Sequence, residues 1–474
     1  MSGARLRPAV AAGHPATAAA GAEVLEEGGS AADAAVAAAL ASCVAETVMT
    51  GLLGGGHGIY FDAATQRARN LDCFCAVPGL GAAPQEPELR HLQVAFGAEL
   101  VSYAVGPASC AVPGVAAGLG ALWQAHGRLP WPRLVEPALR LAQVGVPMPG
   151  AHAACLAMLA PVLTLDAGSR IYAPGGSLLE AGERLEQPGL VAALESLAAE
   201  GAAGAYRGTI GQALLTLSDE RRGLLTRADL ESYDARWSAP VTCDWLDAQV
   251  LTRGGLAGVC QALGRLPRLR DLPAPERLVA LVDALDASRG PETHTTNLVT
   301  VAADGDACVL TTSLGLGSGD YLPGLDLHLN SMLGEVDLLV GGPTPAGSRM
   351  QSMMAPTLAL DRDGPLLAIG SAGGTRLCTA LVTAAAGILD EGLPPQEAVD
   401  RPRVHPAGRI VNAEPGTDQA GLALLERAGR DVRRWPERHH YFGGVSLVSR
   451  AGAAADPRRD GAVRLVEVGG TRSG

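Results

Sequence analysis

Apolar and polar positions alternate with a period of two in the C-terminal part of the chain. Residues 297–314, NLVTVAADGDACVLTTSL, form two alternating runs around Asp304–Gly305. Such alternation is typical of strands, and an Asp-Gly pair between two runs is typical of a hairpin turn. Residues 353–374 repeat the pattern, and a helical run follows at residues 376–390. We therefore predict that this part of the chain is rich in strands.

The N-terminal part has a different pattern, made of small apolar residues at helical spacing. Residues 16–47 are rich in alanine, and Gly28–Gly29 divides them into two predicted helices. Ser30 or Asp33 is the predicted start of the second helix, because both residue types cap helices. Residues 131–290 are interpreted as mostly helical, with breaks at proline and glycine. Helices of such small residues pack closely, so we expect the first two to be buried.

Two features of the sequence argue against cofactor chemistry. GLLGGGHG at residues 51–58 precedes two predicted strands, the first at Gly58–Phe61, and it does not match GxGxxG before a helix. We interpret its glycines as a turn rather than a phosphate loop. All 37 basic residues are arginine. This excludes a P-loop lysine, a pyridoxal-phosphate Schiff base and a Ser-x-x-Lys nucleophile. We predict no cofactor.

Size and charge narrow the class of protein. The 474 residues exceed one ordinary domain, unless two halves interleave in one large α/β body. The formal net charge of -12 argues against nucleic acid and anionic membranes as partners. The sequence has no apolar run long enough to cross a membrane and no apolar signal-peptide core near its start. We therefore expect a cytoplasmic protein.

Neither the cysteines nor the histidines predict a metal site. The nine cysteines are odd in number and lack a C-x-x-C motif, which argues against a disulfide framework or a zinc ribbon. We interpret most of them as small buried residues. His439 and His440 in HHYFGG would point to opposite faces of a strand, so we interpret them as packing or pocket-lining residues. We predict no bound metal.

The candidate chemistry begins at two adjacent threonines, Thr295 and Thr296. They stand at the start of a predicted strand, after the segment SRGPETH, which has the composition of an exposed linker. A hydroxyl inside the chain has no obvious base beside it. If the peptide bond before Thr295 is cut, the freed α-amine lies on the same residue and can act as that base. The sequence therefore suggests a self-cleaving enzyme with an N-terminal threonine nucleophile.

Eight sequence blocks spread over nearly the whole chain extend this hypothesis. They are GGSAADAAVAAAL (28–40), GLLGGGHGIYFDA (51–63), AVPGVAAGL (111–119), GRLPW (127–131), TTNLVTVAADGDA (295–307), SRMQSMMAPT (348–357), GSAGGTRL (370–377) and AVDRPRVH (398–405). In their order and spacing the chain resembles the γ-glutamyltranspeptidase family. The resemblance implies an α/β (α+β) fold, the four-layer αββα sandwich of N-terminal-nucleophile hydrolases, made as a precursor that cleaves itself.

The resemblance also implies which threonine is the nucleophile. Thr295 lies ten residues before Gly305, at the position of the family's nucleophile. Its hydroxyl would attack the carbonyl of His294, and water would hydrolyse the resulting ester. Cleavage would give a large subunit, residues 1–294, and a small subunit, residues 295–474. The two would remain together as a heterodimer in one interleaved structural unit.

Further residues match the family's partners of the nucleophile. Ser313 matches a second hydroxyl that supports it, and the neighbouring Thr311 and Thr312 could fill the same role. Gly373 and Gly374 match the backbone N–H pair that binds the oxyanion, where glycine lets the backbone approach the developing charge. A purely structural interpretation would be an ordinary cluster of hydroxyls at a strand end and an ordinary tight turn.

The predicted substrate pocket departs from the family's pattern. The arginine that binds the donor's α-carboxylate falls on Phe74 in LDCFC, and a phenyl ring cannot form a charge-assisted pair. The paired serines reduce to Ser352, and the asparagine after the second hydroxyl becomes Gly315. Glu335, or the nearby Asp337, matches the acidic residue that holds the α-amine. The predicted substrate-binding residues are Phe74, Thr296, Glu335 and Ser352.

Several functions are compatible with this sequence. The resemblance implies an enzyme that moves a γ-glutamyl or related acyl group from a small-molecule amide to water or an amine. The donor could be an acyl group other than γ-glutamyl, or Arg349 or Arg376 could replace the missing arginine. The sequence is also compatible with a different cleavage in a biosynthetic pathway, such as C–C bond hydrolysis, and with a catalytically silent scaffold protein.

Overall fold

Two antiparallel sheets form the centre of the molecule. The computed structural model describes residues 5–82, 86–96, 99–286, 295–335, 344–374 and 376–467. The first sheet has seven strands in the order β20-β1-β11-β12-β2-β3-β8, and the second has six in the order β19-β18-β14-β13-β10-β9. The strands are β1 (Ala9–Ala12), β2 (Gly55–Asp62), β3 (Arg67–Cys73), β4 (Arg90–Phe96), β5 (Glu99–Val105), β6 (Val146–Pro147), β7 (Arg184–Leu185), β8 (Arg236–Ser238), β9 (Val241–Trp245), β10 (Ala248–Thr252), β11 (Thr296–Val301), β12 (Ala307–Ser313), β13 (Thr357–Asp361), β14 (Gly364–Ala372), β15 (Val404–Ala407), β16 (Ile410–Ala413), β17 (Asp431–Arg434), β18 (Gly444–Ser449), β19 (Gly452–Ala455) and β20 (Ala462–Leu465).

Helices cover the outer faces of the two sheets. The first sheet packs on α1 and α2, and the second packs on α13. The helices are α1 (Pro15–Glu26), α2 (Ala31–Ala45), α3 (Val115–His126), α4 (Trp131–Val144), α5 (Gly150–Leu163), α6 (Gly168–Tyr172), α7 (Gly189–Glu200), α8 (Gly204–Arg207), α9 (Thr209–Glu220), α10 (Arg227–Ser232), α11 (Val259–Leu263), α12 (Ala274–Asp286), α13 (Arg376–Leu389), α14 (Pro395–Asp400) and α15 (Gln419–Arg427).

Alternation along each central strand assigns its side chains to two different layers. In β11, Leu298 packs toward the helices, whereas Val299 and Val301 pack between the sheets. β1 behaves in the same way, because successive side chains of a strand point to opposite faces. The result is four layers in the order helix, sheet, sheet, helix. The predicted αββα sandwich is confirmed.

The elements with strong local signals form where the sequence predicts them. Ser30 caps α2, its hydroxyl accepting from the N–H of Asp33 while the Asp33 carboxylate accepts from the N–H of Ser30. Every residue of α2 is buried, as expected for a helix of small residues. β11 and β12 form the predicted hairpin, with φ at Gly305 of +97°. β13, β14 and α13 also lie at their predicted positions.

The region at residues 131–290 is less uniformly helical than predicted. β9 and β10 form a hairpin in it, and β10 pairs with β13 at the end of the second sheet. The pairing of β10 with a strand more than a hundred residues away stabilises this hairpin, and a local pattern carries no information about that partner. In HHYFGG, His440–Phe442 form a short 3-10 turn.

Strands from both sides of Thr295 alternate in the sheets. In the first sheet, β11 lies between β1, near the chain start, and β12, which in turn pairs with β2. In the second sheet, β10 pairs with β13. The division into residues 1–294 and 295–474 stays a prediction, and His294 lies outside the described residues.

Most cysteines are buried, and two form a disulfide that was not predicted. Seven are buried. Cys243 and Cys260 form a disulfide, with 5.9 Å between their Cα atoms, because α11 packs beside β9. The sequence separation alone did not predict this bond. Disulfides persist mainly in oxidising compartments, so this pair does not favour the expected cytoplasmic location. That location stays a prediction. Within the described ranges, no helix combines the length and apolarity that a membrane crossing requires.

Candidate active site

The hydroxyl of Thr295 lies at the boundary between the two sheets. Thr295 directly precedes β11, and its side chain is 1% exposed. The backbone N–H of Gly373, just after β14, donates a hydrogen bond to the Thr295 Oγ1 across 2.7 Å. The two central strands of the sandwich therefore bring a candidate nucleophile and a backbone donor together.

The backbone at this donor requires glycine. φ is +122° at Gly373 and +63° at Gly374, where residues with a Cβ are strained. A Cβ on Gly373 would lie 2.8 Å from the Cα of Gly443. The buried Arg403 fixes that neighbour, since its Nη1 donates to the Gly443 carbonyl across 2.9 Å and its Nη2 pairs with Asp456. The N–H of Gly373 is thus held rigidly.

Ser313 occupies the position opposite Thr295. β11 and β12 pair Thr296 with Thr312, and the same register places Ser313 across from Thr295. Residues opposite each other in an antiparallel pair direct their side chains to the same face. The Ser313 Oγ accepts a hydrogen bond from the N–H of Gly315 across 2.9 Å. Of the three candidate hydroxyls, the structure brings Ser313 nearest to the face of Thr295.

The two neighbouring threonines bond to different groups. The Thr311 hydroxyl donates to the Asn297 Oδ1 across 2.9 Å. Thr312 shares a hydrogen bond of 2.8 Å with the hydroxyl of Thr50. Both contacts are buried and serve to connect neighbouring elements, so neither threonine offers its hydroxyl to Thr295.

Thr296 lies on the other face of the strand and contacts a buried carboxyl group. Its hydroxyl donates to the Glu46 Oε2, and the Thr17 hydroxyl donates to the Glu46 Oε1 across 2.7 Å. Glu46 follows the last turn of α2 and is 1% exposed. Burial raises the pKa of Glu46 to about 7. Thr296, predicted as a substrate contact, therefore anchors the start of β11 to the helix layer.

A small cavity of about 20 Å³ adjoins Thr295. Its lining includes an acidic residue, Glu46, and a basic residue, Arg459. Neither was a candidate site residue in the sequence. The full lining is Gly13, Glu46, Met49, His152, Thr295, Thr296, Asn297, Ala372, Gly444, Val445, Ser446, Asp456, Arg459 and Gly461. Glu46 could have been found as the only acidic residue between Ala34 and Phe61. The sequence carries no comparable signal for Arg459.

Arg459 is a buried cation in this cavity. Its side chain is 5% exposed, and its Nη2 donates to the His440 carbonyl across 3.2 Å. Its Nη1 lies 3.1 Å from the Sδ of Met49. Among the described residues, its Nε has no hydrogen-bond partner. Burial lowers the pKa of this guanidinium from its ordinary value.

Of the predicted substrate-binding residues, Phe74, Glu335 and Ser352 do not line the cavity beside Thr295. Glu335 is buried, and its Oε1 would lie 2.2 Å from a Cβ on Gly315. The carboxyl group thus fills the space that a side chain at position 315 would need, next to the backbone that bonds Ser313. Asp337, the second candidate for this acidic position, lies outside the described residues.

Phe74 belongs to a methionine-rich apolar cluster. The cluster consists of Phe74, Cys75, Ala111, Met332, Met350 and Met354. The Phe74 ring also stacks on His57, with 5.4 Å between the ring centroids. The nearby Ser352 accepts from the N–H of Met354 across 3.2 Å, so its hydroxyl stabilises a turn. The position of the family's arginine is therefore occupied by closely packed apolar side chains.

The two arginines considered as replacements serve structural contacts. Arg349 donates to the Phe74 carbonyl across 2.8 Å and lies over the ring of Tyr233. The Nε of Arg376 donates to the Tyr441 carbonyl across 3.0 Å, and its guanidinium lies over that tyrosine ring. Neither lines the cavity beside Thr295. These contacts do not favour either residue as a carboxylate-binding group.

The histidine pair shows no arrangement for binding metal. His440 is buried in the turn before β18, and the following residues 444–446 line the cavity. In the part of the chain that is described, no three His, Cys, Asp or Glu side chains are grouped to hold a metal ion. The site is therefore built from hydroxyl groups, backbone N–H groups and the buried ionisable side chains of Glu46, Asp456 and Arg459. This set suits acyl transfer, which needs a nucleophile and an oxyanion donor.

Comparisons with known proteins identify the family of this chain. The sequence model of the gamma-glutamyltranspeptidase family matches residues 17–286 and 277–466. The acylase ACY 1 proenzyme of Pseudomonas sp. (strain SE83) is 26% identical over 513 residues, covering 94% of this chain and 90% of that protein. The glutathione hydrolase proenzyme of Bacillus subtilis (strain 168) is 24% identical over 538 residues, with coverages of 94% and 90%.

A solved structure shows the same fold. The cephalosporin acylase from Bacillus halodurans superposes with a TM-score of 0.82 at 23% identity, over 98% of this chain and 96% of that one. At 23% identity this similarity shows the fold, whereas the match to the family's sequence model shows the family. Matched over nearly its whole length, the chain belongs to the γ-glutamyltranspeptidase family of hydrolases and acylases.

Proposed function

We propose that this enzyme is an autoprocessing acylase whose nucleophile is the Thr295 hydroxyl. The hydrogen bond from the Gly373 N–H to the Thr295 Oγ1, 2.7 Å long, is the observation that carries the proposal. In the precursor, the Oγ1 attacks the carbonyl carbon of His294, its proton passes to the Thr295 nitrogen as the C–N bond breaks, and water hydrolyses the resulting ester. This breaks the chain and frees the α-amine of Thr295.

The mature enzyme then uses the same hydroxyl on an amide substrate. The Thr295 oxygen bonds to the amide carbon as its proton passes to the α-amine. The N–H groups of Gly373 and Gly374 are suited to bind the oxygen that becomes negative. The C–N bond breaks, the leaving amine takes the proton, and an acyl ester remains on Thr295. Water or an amine then attacks the ester, which releases the acyl group and restores the Thr295 hydroxyl. Ser313 lies opposite Thr295 on the neighbouring strand.

The donor that we propose carries an apolar acyl group. Phe74, which matches the position of the family's carboxylate-binding arginine in sequence, packs with Met332, Met350 and Met354. A carboxylate placed there would be buried without a charged partner, which is strongly unfavourable. Two of the matched proteins are named acylases, and one of these is a cephalosporin acylase. These names support an acyl group other than γ-glutamyl.

Hydrolysis of a γ-glutamyl amide is the second candidate. Glu335 supports it, because this carboxyl group matches the family's α-amine-binding residue in sequence and is buried beside Gly315. The other matched protein is named a glutathione hydrolase. Each donor would be a small molecule, and the two chain parts would act together as a heterodimer.

Gel electrophoresis with N-terminal sequencing tests self-cleavage. Fresh protein should give two fragments, and the smaller should begin TTNLV and contain the last 180 residues (474 minus 294). Thr295→Ala should leave one chain of 48.2 kDa. Thr300→Val is a matched control on β11, because the Thr300 hydroxyl bonds the Ala31 carbonyl and does not line the cavity. A single uncleaved band in active wild-type protein would refute the proposal.

Intact-mass spectrometry identifies the donor. The processed enzyme is mixed briefly with γ-glutamyl, glutaryl and aromatic acyl amides, and the mass added to the small fragment is measured. We expect an ester of the aromatic acyl group on Thr295 in larger amount than the γ-glutamyl ester. Accumulation of the γ-glutamyl ester alone would favour the second candidate.

A further inference from the structure

The cavity beside Thr295 contains a charged arrangement that acyl transfer alone does not explain. Glu46 comes from the end of α2, and Arg459 comes from the turn between β19 and β20. Both are buried, and both line the same cavity as Thr295. Burying a charged side chain is unfavourable unless an opposite charge or hydrogen bonds compensate it.

Arg459 lies close to the nucleophile. Its Nη2 would be 3.2 Å from a Cβ on Gly373, and the N–H of Gly373 is bonded to the Thr295 Oγ1. Its guanidinium therefore lies against the residue that bonds the Thr295 hydroxyl, and it lines the same cavity as Thr295. A nearby cation disfavours a second positive charge.

The base in an N-terminal threonine enzyme is the α-amine, which must be unprotonated to accept the hydroxyl's proton. An ordinary α-amine has a pKa of roughly 8, so at neutral pH most of it would be protonated. A nearby cation favours the neutral amine, and a nearby anion favours the charged one. The balance between Arg459 and Glu46 thus acts on the group that does the chemistry.

We propose that Arg459 is a positioning residue that keeps the α-amine of Thr295 unprotonated, and that Glu46 opposes it. This inference rests on the proposed cleavage before Thr295. Glu46 is held by Thr17 and Thr296, so its carboxyl group is fixed relative to the start of β11. The two residues set the fraction of enzyme molecules in which the α-amine of Thr295 is unprotonated at a given pH.

The other titratable groups near the cavity are neutral or already compensated. They are His14 before α1, His152 and Cys155 on α5, Arg376 on α13, and Asp456 and Asp460 in the turn with Arg459. Burial lowers the pKa of His14 to about 4 and that of His152 to about 3, so both rings are neutral at pH 7. Burial raises the pKa of the Cys155 thiol to about 11.

The remaining charges have other partners. Asp456 pairs with Arg403 and Arg458. Asp460 accepts from the N–H of Ala151. Arg376 lies over the ring of Tyr441. Arg459 and Glu46 are therefore the cavity-lining charges that no ion pair among the described residues compensates.

Carbamoylation of the Thr295 α-amine by cyanate measures this effect without a substrate. Cyanate reacts with the unprotonated amine, and mass spectrometry of the peptide beginning TTNLV follows the reaction across pH. Relative to wild type, we expect the midpoint to rise by about one pH unit in Arg459→Met and to fall in Glu46→Gln. Arg464→Met removes the same charge from an exposed position on β20 and should leave the midpoint unchanged.

The outcomes separate this inference from the proposed function. If wild-type protein has no free TTNLV terminus, the proposed cleavage is wrong. If the terminus is present and the midpoint is the same in all four proteins, the role of Arg459 and Glu46 is wrong. Should Arg459→Met fail to fold, Glu46→Gln still decides, because an unchanged midpoint there overturns the inference.

Discussion

The N–H of Gly373 donates to the hydroxyl oxygen of Thr295 across 2.7 Å, although the two residues are 78 positions apart. The contact joins the end of β14 in one sheet to the start of β11 in the other. Because both strands belong to the packed centre of the sandwich, the donor and the hydroxyl are held in place before any substrate arrives. Such preorganisation is what makes backbone donors effective in acyl transfer.

Gly373→Ala should remove this donor. A Cβ at this position would lie 2.8 Å from the Cα of Gly443, so the backbone must move away from Thr295. Loss of one oxyanion donor lowers kcat by on the order of 100- to 1000-fold. Gly392→Ala is a matched control, since its φ is also positive, at +71°, but no atom lies within 4 Å of its Cβ position. Equal activity in both variants would contradict the assignment.

Ser313→Ala should slow both self-cleavage and turnover. The variant loses the hydroxyl opposite Thr295 and the acceptor for the Gly315 N–H. One hydrogen bond to a group that becomes charged corresponds to a decrease of about 10- to 100-fold in kcat/KM. Ser449→Ala, a buried serine on β18 whose hydroxyl donates to Gly452, serves as the control. A rate within twofold of wild type would leave Ser313 without a catalytic role.

The stability of the enzyme should depend on pH through Glu46. Burial raises the pKa of Glu46 to about 7 from an ordinary 4.5. The stabilisation is fully present below pH 4.5, where both states bind the proton, and is lost as the pH rises through 7. Between pH 5 and 8 the free energy of unfolding should fall by about 3 kcal/mol relative to Glu46→Gln, which cannot titrate. Urea unfolding at both pH values measures this, and a constant difference would show that Glu46 does not titrate.

Phe74→Ala should change the preference for the acyl group. The substitution removes the ring from the methionine cluster, so larger acyl groups should gain in kcat/KM relative to small ones. Stability should fall by about 3 to 5 kcal/mol, the usual effect of this change in a core. Phe61→Ala is the control, because Phe61 is equally buried but packs between the sheets. If both variants keep the wild-type ratio of kcat/KM values, Phe74 does not determine specificity.

Local chemistry explains which elements the sequence predicted. The β11–β12 hairpin depends on alternation and on Asp304–Gly305, and the start of α2 depends on Ser30 and Asp33, all within a few residues of one another. The hairpin β9–β10 was not predicted, because its partner β13 lies far along the chain. The disulfide between Cys243 and Cys260 was not predicted either, because the packing of α11 beside β9 brings the two cysteines together.

The sequence by itself determined the candidate nucleophile and its glycine donor, because the blocks around Thr295 and Gly373 are contiguous and correctly spaced. Only the tertiary structure decided what surrounds them. Thr296 bonds to Glu46 across 250 positions of the chain, and Arg459 reaches the same cavity from the C-terminal turn. The packing of helices and sheets creates these contacts, and no short-range pattern records them. The candidate nucleophile at Thr295 therefore follows from local sequence, whereas the charged groups around it follow from the fold.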